Sequence, residues 1–84
     1  MSEATLLKVT IKNKDSETVE EEIKAVSSFN ERGPFDILPL HENFISVVKD
    51  KIILHKKDGS AKEIVIERGV LKISQNNVSI YLGI

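Results

Sequence analysis

Apolar and polar residues alternate along the first part of the chain with a period of two. Residues 5–12 predict a strand with one face in a core, because Leu7, Val9 and Ile11 alternate with lysine and threonine. Residues 17–29 predict a second, longer strand, in which the apolar positions change parity between Ile23 and Val26. That change of phase predicts a β-bulge. The glutamates also favour a helix over residues 17–26, but the β-branched residues weigh against it.

An apolar stretch from Gly33 to Val48 is interrupted by two prolines. Because Pro34 and Pro39 each fix φ and remove an amide donor, the segment between them is expected to be short and extended. The stretch continues into Phe44–Val48, where apolar residues fall on both faces. The sequence therefore predicts a crossing between two layers, followed by a strand that is covered on both sides or lies under a partner.

Short strands separated by turns are predicted for the rest of the chain. Lys49-Asp50 is interpreted as a tight turn, and Asp58-Gly59 predicts a hairpin with a two-residue turn. Gly69 predicts a bend or a close backbone approach. This pattern, with almost no helical period, indicates an all-β sandwich or barrel. The strands predicted after Val48 cover residues 51–57, 61–67, 70–74 and 78–82.

The length of 84 residues indicates a single domain over residues 1–84. The net charge of −1 gives no reason to expect nucleic acid as a partner. The chain has no cysteine, which excludes a disulfide scaffold and a thiolate metal site and fits a reducing compartment. No apolar run approaches the roughly 20 residues that cross a bilayer, and Glu3 opposes a signal peptide. A soluble, cytoplasmic domain is expected.

Candidate chemistry is sparse. The two histidines, His41 and His55, lie on different elements without a clear metal spacing. His55 is expected on the solvated outer face of a hairpin, and His41 is interpreted as a loop histidine, with a functional contact as the alternative. The glutamates at 20–22 are expected to line a solvated edge that discourages strand pairing. Since neither a nucleophile elbow nor a phosphate loop is present, a non-catalytic domain without cofactor or metal is expected.

Apolar residues exceed the needs of one small core in residues 44–48, 52–54 and 64–66. Some of them could form a partner-facing patch. Alternatively, neighbouring strands and loops cover both faces of the sheet. The residues leave both interpretations open.

Residues 33–41 read Gly-Pro-Phe-Asp-Ile-Leu-Pro-Leu-His. This segment resembles the Gly-x-Phe-Gly-Ile-Leu-Pro-Gly-His segment of the ATP synthase epsilon subunit. Residues 51–69 resemble its hairpin with an Asp-Gly turn, and residues 69–73 and 77–82 resemble its closing pair of strands. The resemblance covers nearly the whole chain. It implies a flattened β-sandwich of two sheets, here expected to contain about eight to ten short strands.

The chain departs from the family pattern at a few positions. Asp36 and Leu40 replace glycines of the motif, Arg68 stands where a glycine is common, and Pro34 takes a position that is often acidic. Leucine is a poor substitute for glycine at positive φ, so the loop is expected to bend differently. The sequence ends at Ile84, so the helical hairpin that many members carry at the C-terminus is not expected.

The resemblance implies a non-catalytic central-stalk subunit of the rotary proton-transporting ATP synthase. Such a subunit binds the gamma subunit and the c-ring, couples proton flow to ATP synthesis, and meets the cytoplasmic side of the bacterial inner membrane only through the complex. His41 carries over directly from the family motif. The residues expected to face the c-ring are Glu31, Arg32, His41 and Glu42, and those expected to face gamma are Phe44, Ile45 and Val47.

A different class of function is also open. A free-standing β-sandwich that binds a small ligand or a peptide would show a concave apolar pocket with a few convergent polar groups. An enzyme would need His41 or His55 beside a carboxylate in a cleft.

Overall fold

The computed structural model describes residues 5–83, which form strands and turns and no helix. The all-β prediction is confirmed, but the expected eight to ten short strands are replaced by six. Three of them are 13 or 14 residues long. The first was predicted as one long strand, and the other two run through Lys49-Asp50 and Gly69, where the sequence predicts a turn and a bend or close approach. The strands are β1 (Leu7–Lys12), β2 (Glu17–Asn30), β3 (Gly33–Ile37), β4 (Phe44–Lys56), β5 (Ala61–Ser74) and β6 (Asn77–Leu82).

The strands close on themselves. Their order is β1-β6-β5-β4-β2-β3, and an additional pairing between β1 and β2 completes a barrel-like ring. The β1–β6 pair is parallel and the other pairs are antiparallel. Strand β3 lies outside the ring, paired to β2. This edge position accommodates Pro34, which cannot donate to a sheet ladder.

The tight turn predicted at Lys49-Asp50 is wrong. Strand β4 continues through Asp50, whose φ is +71°, and both halves of the strand pair with β5. The register shifts there, and the Ser28 hydroxyl donates a hydrogen bond of 2.8 Å to the Lys51 carbonyl beside the shift. A bulge bends the strand without reversing it, because the partner strand continues on the far side.

Gly69 is a close backbone approach, as predicted. A Cβ added at this position would lie 2.8 Å from the Tyr81 carbonyl oxygen and 2.8 Å from Leu82 Cδ2. A larger residue at position 69 would therefore force β6 to shift, and β5 runs through Gly69 as one strand.

The irregularity predicted in β2 is confirmed. The register between β2 and β4 shifts between Ile23 and Ala25, so Lys24 is the extra residue and both Ile23 and Val26 point inward. A second irregularity, absent from the prediction, lies at Glu22, which has a φ of +57°. The helical alternative for residues 17–26 is wrong, because this segment pairs with β1 as a strand.

The core is purely aliphatic. Among residues 5–83, Ser28 is the one buried polar residue, and its hydroxyl is satisfied by the bond to β4 described above. Alternation places each core side chain on the inner face, and dense aliphatic packing makes such a ring stiff. The thirteen buried hydrophobic residues are Leu7, Val9, Ile11, Ile23, Val26, Ile37, Val48, Ile52, Leu54, Leu71, Ile73, Val78 and Ile80.

The β4–β5 hairpin forms at Asp58-Gly59, as predicted, although its connection has four residues and not two. The Gly59 amide donates to the Lys56 carbonyl at 3.0 Å, and Gly59 has a φ of +93°. Glycine adopts this conformation without steric cost. In the part of the chain that the structure describes, no helix is long and apolar enough to cross a membrane.

Candidate interaction surfaces

The loop after β3, residues 38–43, is organised by a β-turn. The His41 amide donates to the Leu38 carbonyl at 3.2 Å, with Pro39 and Leu40 at the central positions. Leu40 has a φ of +66° and follows a proline, which defines a type II turn. Leucine thus occupies the conformation that glycine favours at this position, and its side chain is 80% exposed. We call residues 38–43 the tied loop.

The tied loop is anchored to the turn between β5 and β6. The Leu40 amide donates to Asn76 Oδ1 at 2.6 Å. Gln75 and Asn76 both have positive φ, as a two-residue hairpin turn of type I′ requires. The bond joins positions far apart in the sequence, and it supports the positive φ of Leu40 from outside the loop.

His41 is fixed by two contacts. Its Nδ1 lies 2.7 Å from the Glu42 carbonyl oxygen, and because a carbonyl only accepts, Nδ1 carries the proton. Its ring meets Phe44 edge-on at 5.5 Å between centroids, and Phe44 in turn meets Phe35 at 5.8 Å. The loop histidine is therefore half-buried at the end of an aromatic row, with Nε2 left for a further partner.

The residues predicted to face the c-ring fall into two groups. Glu31 and Arg32 form the turn between β2 and β3, whereas His41 and Glu42 lie in the tied loop. The five residues of β3 separate the groups, at about 3.3 Å of rise per residue. The structure brings each pair together but does not merge the four residues into one loop.

The residues predicted to face gamma are divided between two faces of β4. Phe44 points inward, is half-buried and packs against the core, and its contact with gamma stays a prediction. Ile45 and Val47 point outward and are 66% and 51% exposed. The alternation of β4 decides this difference, since residues 44 and 45 lie on opposite faces.

Register extends the exposed apolar surface beyond β4. Val47 pairs with Val70 on β5, and Val70 pairs with Tyr81 on β6. Directly opposed residues share a face, so these side chains form a line across three strands beside Ile45. Sequence reasoning missed Val70 and Tyr81 because the pairing of strands was unknown. We call Ile45, Val47, Val70 and Tyr81 the outer apolar row.

His55 lies on the outer face, as predicted, but it is not fully solvated. His55 is half-buried, and its Nε2 lies 2.8 Å from Ser27 Oγ. The Ser27 hydroxyl donates to Asp36 Oδ1 at 2.6 Å, so His55 Nε2 donates to the serine oxygen. Because the hydroxyl proton is directed at the carboxylate, His55 does not act as a base on Ser27. The three side chains join β4, β2 and β3 on the outer surface.

The acidic run of β2 is more engaged than predicted. Glu20 forms an ion pair of 3.0 Å with Lys62, and its side chain is 20% exposed. Glu22 lies 3.9 Å from Lys57. At the hairpin tip, hydrogen bonds from the Ser60 hydroxyl and then from the Ser60 amide lower the pKa of Asp58. These charges support the hairpin rather than a binding site.

Surface depressions do not favour the small-ligand alternative. One, of about 420 Å³, is lined entirely by charged residues of β2 and the β4–β5 turn. Another of about 420 Å³ lies beside Ile45 and Lys72 and opens next to the outer apolar row. Within residues 5–83, no group of three or more histidine, aspartate or glutamate side chains is placed to hold a metal ion.

The described residues thus define a closed β-domain with exposed apolar side chains on its outer face. The family model for the ATP synthase delta/epsilon chain, beta-sandwich domain, matches residues 6–82. The chain belongs to this family, which confirms the resemblance seen in residues 33–41. The ATP synthase epsilon chain of a Nitratiruptor species is 30% identical over 74 residues. The match covers 87% of this chain and 57% of that relative, so the chain spans little more than half of its length.

Solved structures contain the same fold. A chain in the Euglena gracilis mitochondrial ATP synthase, OSCP/F1/c-ring in rotational state 1, has a TM-score of 0.84 and 16% identity. This similarity covers 96% of our chain and 53% of that one. A chain in the Tetrahymena thermophila mitochondrial ATP synthase central stalk/c-ring has a TM-score of 0.74 and 9% identity, covering 96% and 66%. At these identities the similarity concerns the fold.

Proposed function

We propose that the chain is a non-catalytic central-stalk subunit of a rotary proton-transporting ATP synthase, where it binds the gamma subunit and the c-ring. The proposal depends on one observation: a chain that belongs to the delta/epsilon family carries the outer apolar row on its surface. Three members of this row, Ile45, Val47 and Tyr81, are exposed, and Val70 between the strands is half-buried. An outward-facing apolar line across three strands is typical of a protein contact. The named assemblies that contain similar chains support the same role.

The role also requires stiffness, because a coupling subunit must transmit torque without deforming. A closed sheet with an aliphatic interior meets this requirement. We further propose that the ring is flattened into two facing sheets, with β2, β4 and β5 bending between them at their register shifts. The extents of 42 × 28 × 22 Å and the shifts in all three strands support this layering.

The outer apolar row is the proposed gamma contact. Ile45 and Val47 keep the role expected from the sequence, and Val70 and Tyr81 are added to it. Phe44 supports this surface from the core side. Fully desolvated apolar and aromatic side chains near the centre of an interface contribute most to affinity.

The proposed c-ring contacts are two points on either side of β3. One is the turn with Glu31 and Arg32, and the other is the tied loop with His41 and Glu42. Leu40, 80% exposed, extends the second point. The domain would then reach the cytoplasmic face of a bacterial inner membrane only through the complex.

Co-purification with gamma tests the proposal. We expect Val47→Asp to weaken the affinity for gamma at least about tenfold, because a carboxylate would be buried unpaired in the contact. Val65→Asp is the matched control, since Val65 is 80% exposed on the other half of β5. It should change the affinity by less than about twofold.

Folding must be checked in each variant by its circular dichroism spectrum and its urea midpoint. Equal binding by folded Val47→Asp, Ile45→Asp and the wild type would remove the outer apolar row from the gamma contact. A wild-type chain that fails to bind gamma at micromolar concentrations would overturn the proposed role itself.

A further inference from the structure

Three cationic side chains meet beside the outer apolar row. Arg32 comes from the β2–β3 turn, Lys49 from β4 and Arg68 from β5. Arg32 lines a depression of about 310 Å³, Lys49 lines an adjoining one of about 300 Å³, and Arg68 lines both. The two depressions have four lining residues in common, which are Asn30, Glu31, Val47 and Arg68. We call this combined feature the cationic depression.

The turn that carries Arg32 is held in place by Asn30. Asn30 Oδ1 accepts a hydrogen bond of 2.9 Å from the Arg32 amide, and Asn30 Nδ2 donates to Ser46 Oγ at 3.3 Å. Gly33 follows with a φ of +116°, which closes the turn. The backbone of Arg32 is therefore fixed relative to β4 before any ligand arrives, which reduces the cost of ordering the site.

Two of the three cationic residues are direct cross-strand neighbours. Lys49 and Arg68 are directly opposed partners in the β4–β5 register, an arrangement of like charges that destabilises a strand pair. Glu31 and Glu67 line the same depression. Among the described residues, however, the salt bridges involve other lysines and none involves Arg32, Lys49 or Arg68. Three cations without an ion pair face two carboxylates, so an added anion would relieve the repulsion.

We propose that the cationic depression binds a carboxylate side chain on an acidic segment of a protein partner. Arginine presents paired donors that match a carboxylate, and Arg32 and Arg68 reach the depression from two elements. Val47, 51% exposed, lines the same depression and belongs to the outer apolar row. A protein surface covers both the apolar and the cationic parts, whereas a free anion would use only the latter. The inference deepens the proposed function, on which the partner's identity rests, and it reassigns Arg32 from the c-ring contact to the partner that covers the outer apolar row.

A titration of the ¹⁵N-labelled chain with a short glutamate-rich peptide tests the site directly. We expect amide shifts at Arg32, Val47 and Arg68, and a dissociation constant that rises about tenfold in Arg32→Gln/Arg68→Gln. Lys24→Gln is the control for bulk charge, because Lys24 is exposed in the β2 bulge away from the depression. It should change the constant by less than about twofold.

Inorganic phosphate is the comparison probe. Phosphate binding as tight as that of the peptide, with the same shifts, would overturn the acidic-segment proposal in favour of a free-anion site. Equal weakening by the double variant and by Lys24→Gln, or an absence of shifts in the depression, would overturn the site altogether. The amide spectrum of each variant reports whether it has folded.

The same variants separate this inference from the proposed function. If gamma binds and Val47→Asp weakens it while Arg32→Gln/Arg68→Gln does not, the depression does not contribute to that contact and the proposed function stands. If the wild type does not bind gamma, the proposed function fails, and the peptide titration still decides whether the depression recognises acidic segments.

Discussion

The Ser27 hydroxyl donates a hydrogen bond to Asp36 Oδ1 across the β2–β3 pair, with 2.6 Å between the oxygens. His55 Nε2 reaches the same hydroxyl from β4 at 2.8 Å. Asp36 replaces a glycine of the family motif, and the structure shows what it contacts. The bond links the edge strand β3, through β2, to the closed ring.

Ser27→Ala should lower the free energy of unfolding by about 1–2 kcal/mol, because two side chains lose a hydrogen-bond partner. The measurement is equilibrium unfolding in urea. Ser79→Ala serves as the control, since the Ser79 hydroxyl makes no side-chain hydrogen bond within the described residues, and it should cost less than about 0.5 kcal/mol. If Ser27→Ala and His55→Ala have additive effects on stability in a double-mutant cycle, the hydrogen bond between these two side chains does not contribute to stability.

Leu40 offers a test of backbone strain. Leu40→Gly should be about 1 kcal/mol more stable than Leu40→Ala, because alanine retains the steric cost of a φ of +66°. Val65, equally exposed at 80%, provides the opposite case on an ordinary strand. At position 65 the alanine variant should be more stable than the glycine variant by roughly 0.5–1 kcal/mol. The same preference for alanine at both positions in urea unfolding would contradict the type II turn.

Gly69→Ala should destabilise the chain by about 1–3 kcal/mol, since the added Cβ meets the Tyr81 carbonyl and the Leu82 side chain at 2.8 Å. Thermal unfolding measures the loss. Combining it with Leu82→Ala should restore only part of that loss, because the backbone contact remains. If Leu82→Ala restored all of the lost stability, the clash with the Leu82 side chain alone would account for the effect of Gly69→Ala.

Asp58 predicts a pH dependence of stability. Its pKa lies below the ordinary value of 3.8, chiefly because the Ser60 hydroxyl and amide donate to it. A carboxyl with a lowered folded-state pKa contributes stability above its unfolded pKa and loses it as the pH falls through the folded one. The advantage of wild type over Asp58→Asn should therefore be present at about pH 6 and shrink below 3.8. Urea midpoints across this range provide the measurement. A stability advantage of wild type over Asp58→Asn that grows as the pH falls would contradict the prediction.

Local pattern was sufficient for much of the fold. The alternation in residues 7–12, the change of phase after Ile23 and the Asp58-Gly59 hairpin were all read from neighbouring residues and all appear in the structure. Side-chain alternation is a property of the strand itself, so it is visible in the sequence. The motif in residues 33–41, followed by the closing pair in residues 69–73 and 77–82, likewise identified the family, since each segment is a local order of residues.

Strand length was less visible. Lys49-Asp50 and Gly69 carry turn-forming residues, yet a strand continues through both positions. A polar pair or a glycine ends a strand only where the neighbouring strand also ends, and that depends on the pairing. This is why about eight to ten predicted short strands became six, three of them long.

The sequence by itself determined the strand type, the aliphatic core and the family. Only the tertiary structure decided which side chains share a surface. It turned Phe44 inward and Ile45 outward, aligned Val47 with Val70 and Tyr81, and brought His55 to Ser27. The physical reason is that these neighbours come from strands far apart in the chain, and their register is fixed by hydrogen bonds between strands that no local pattern records.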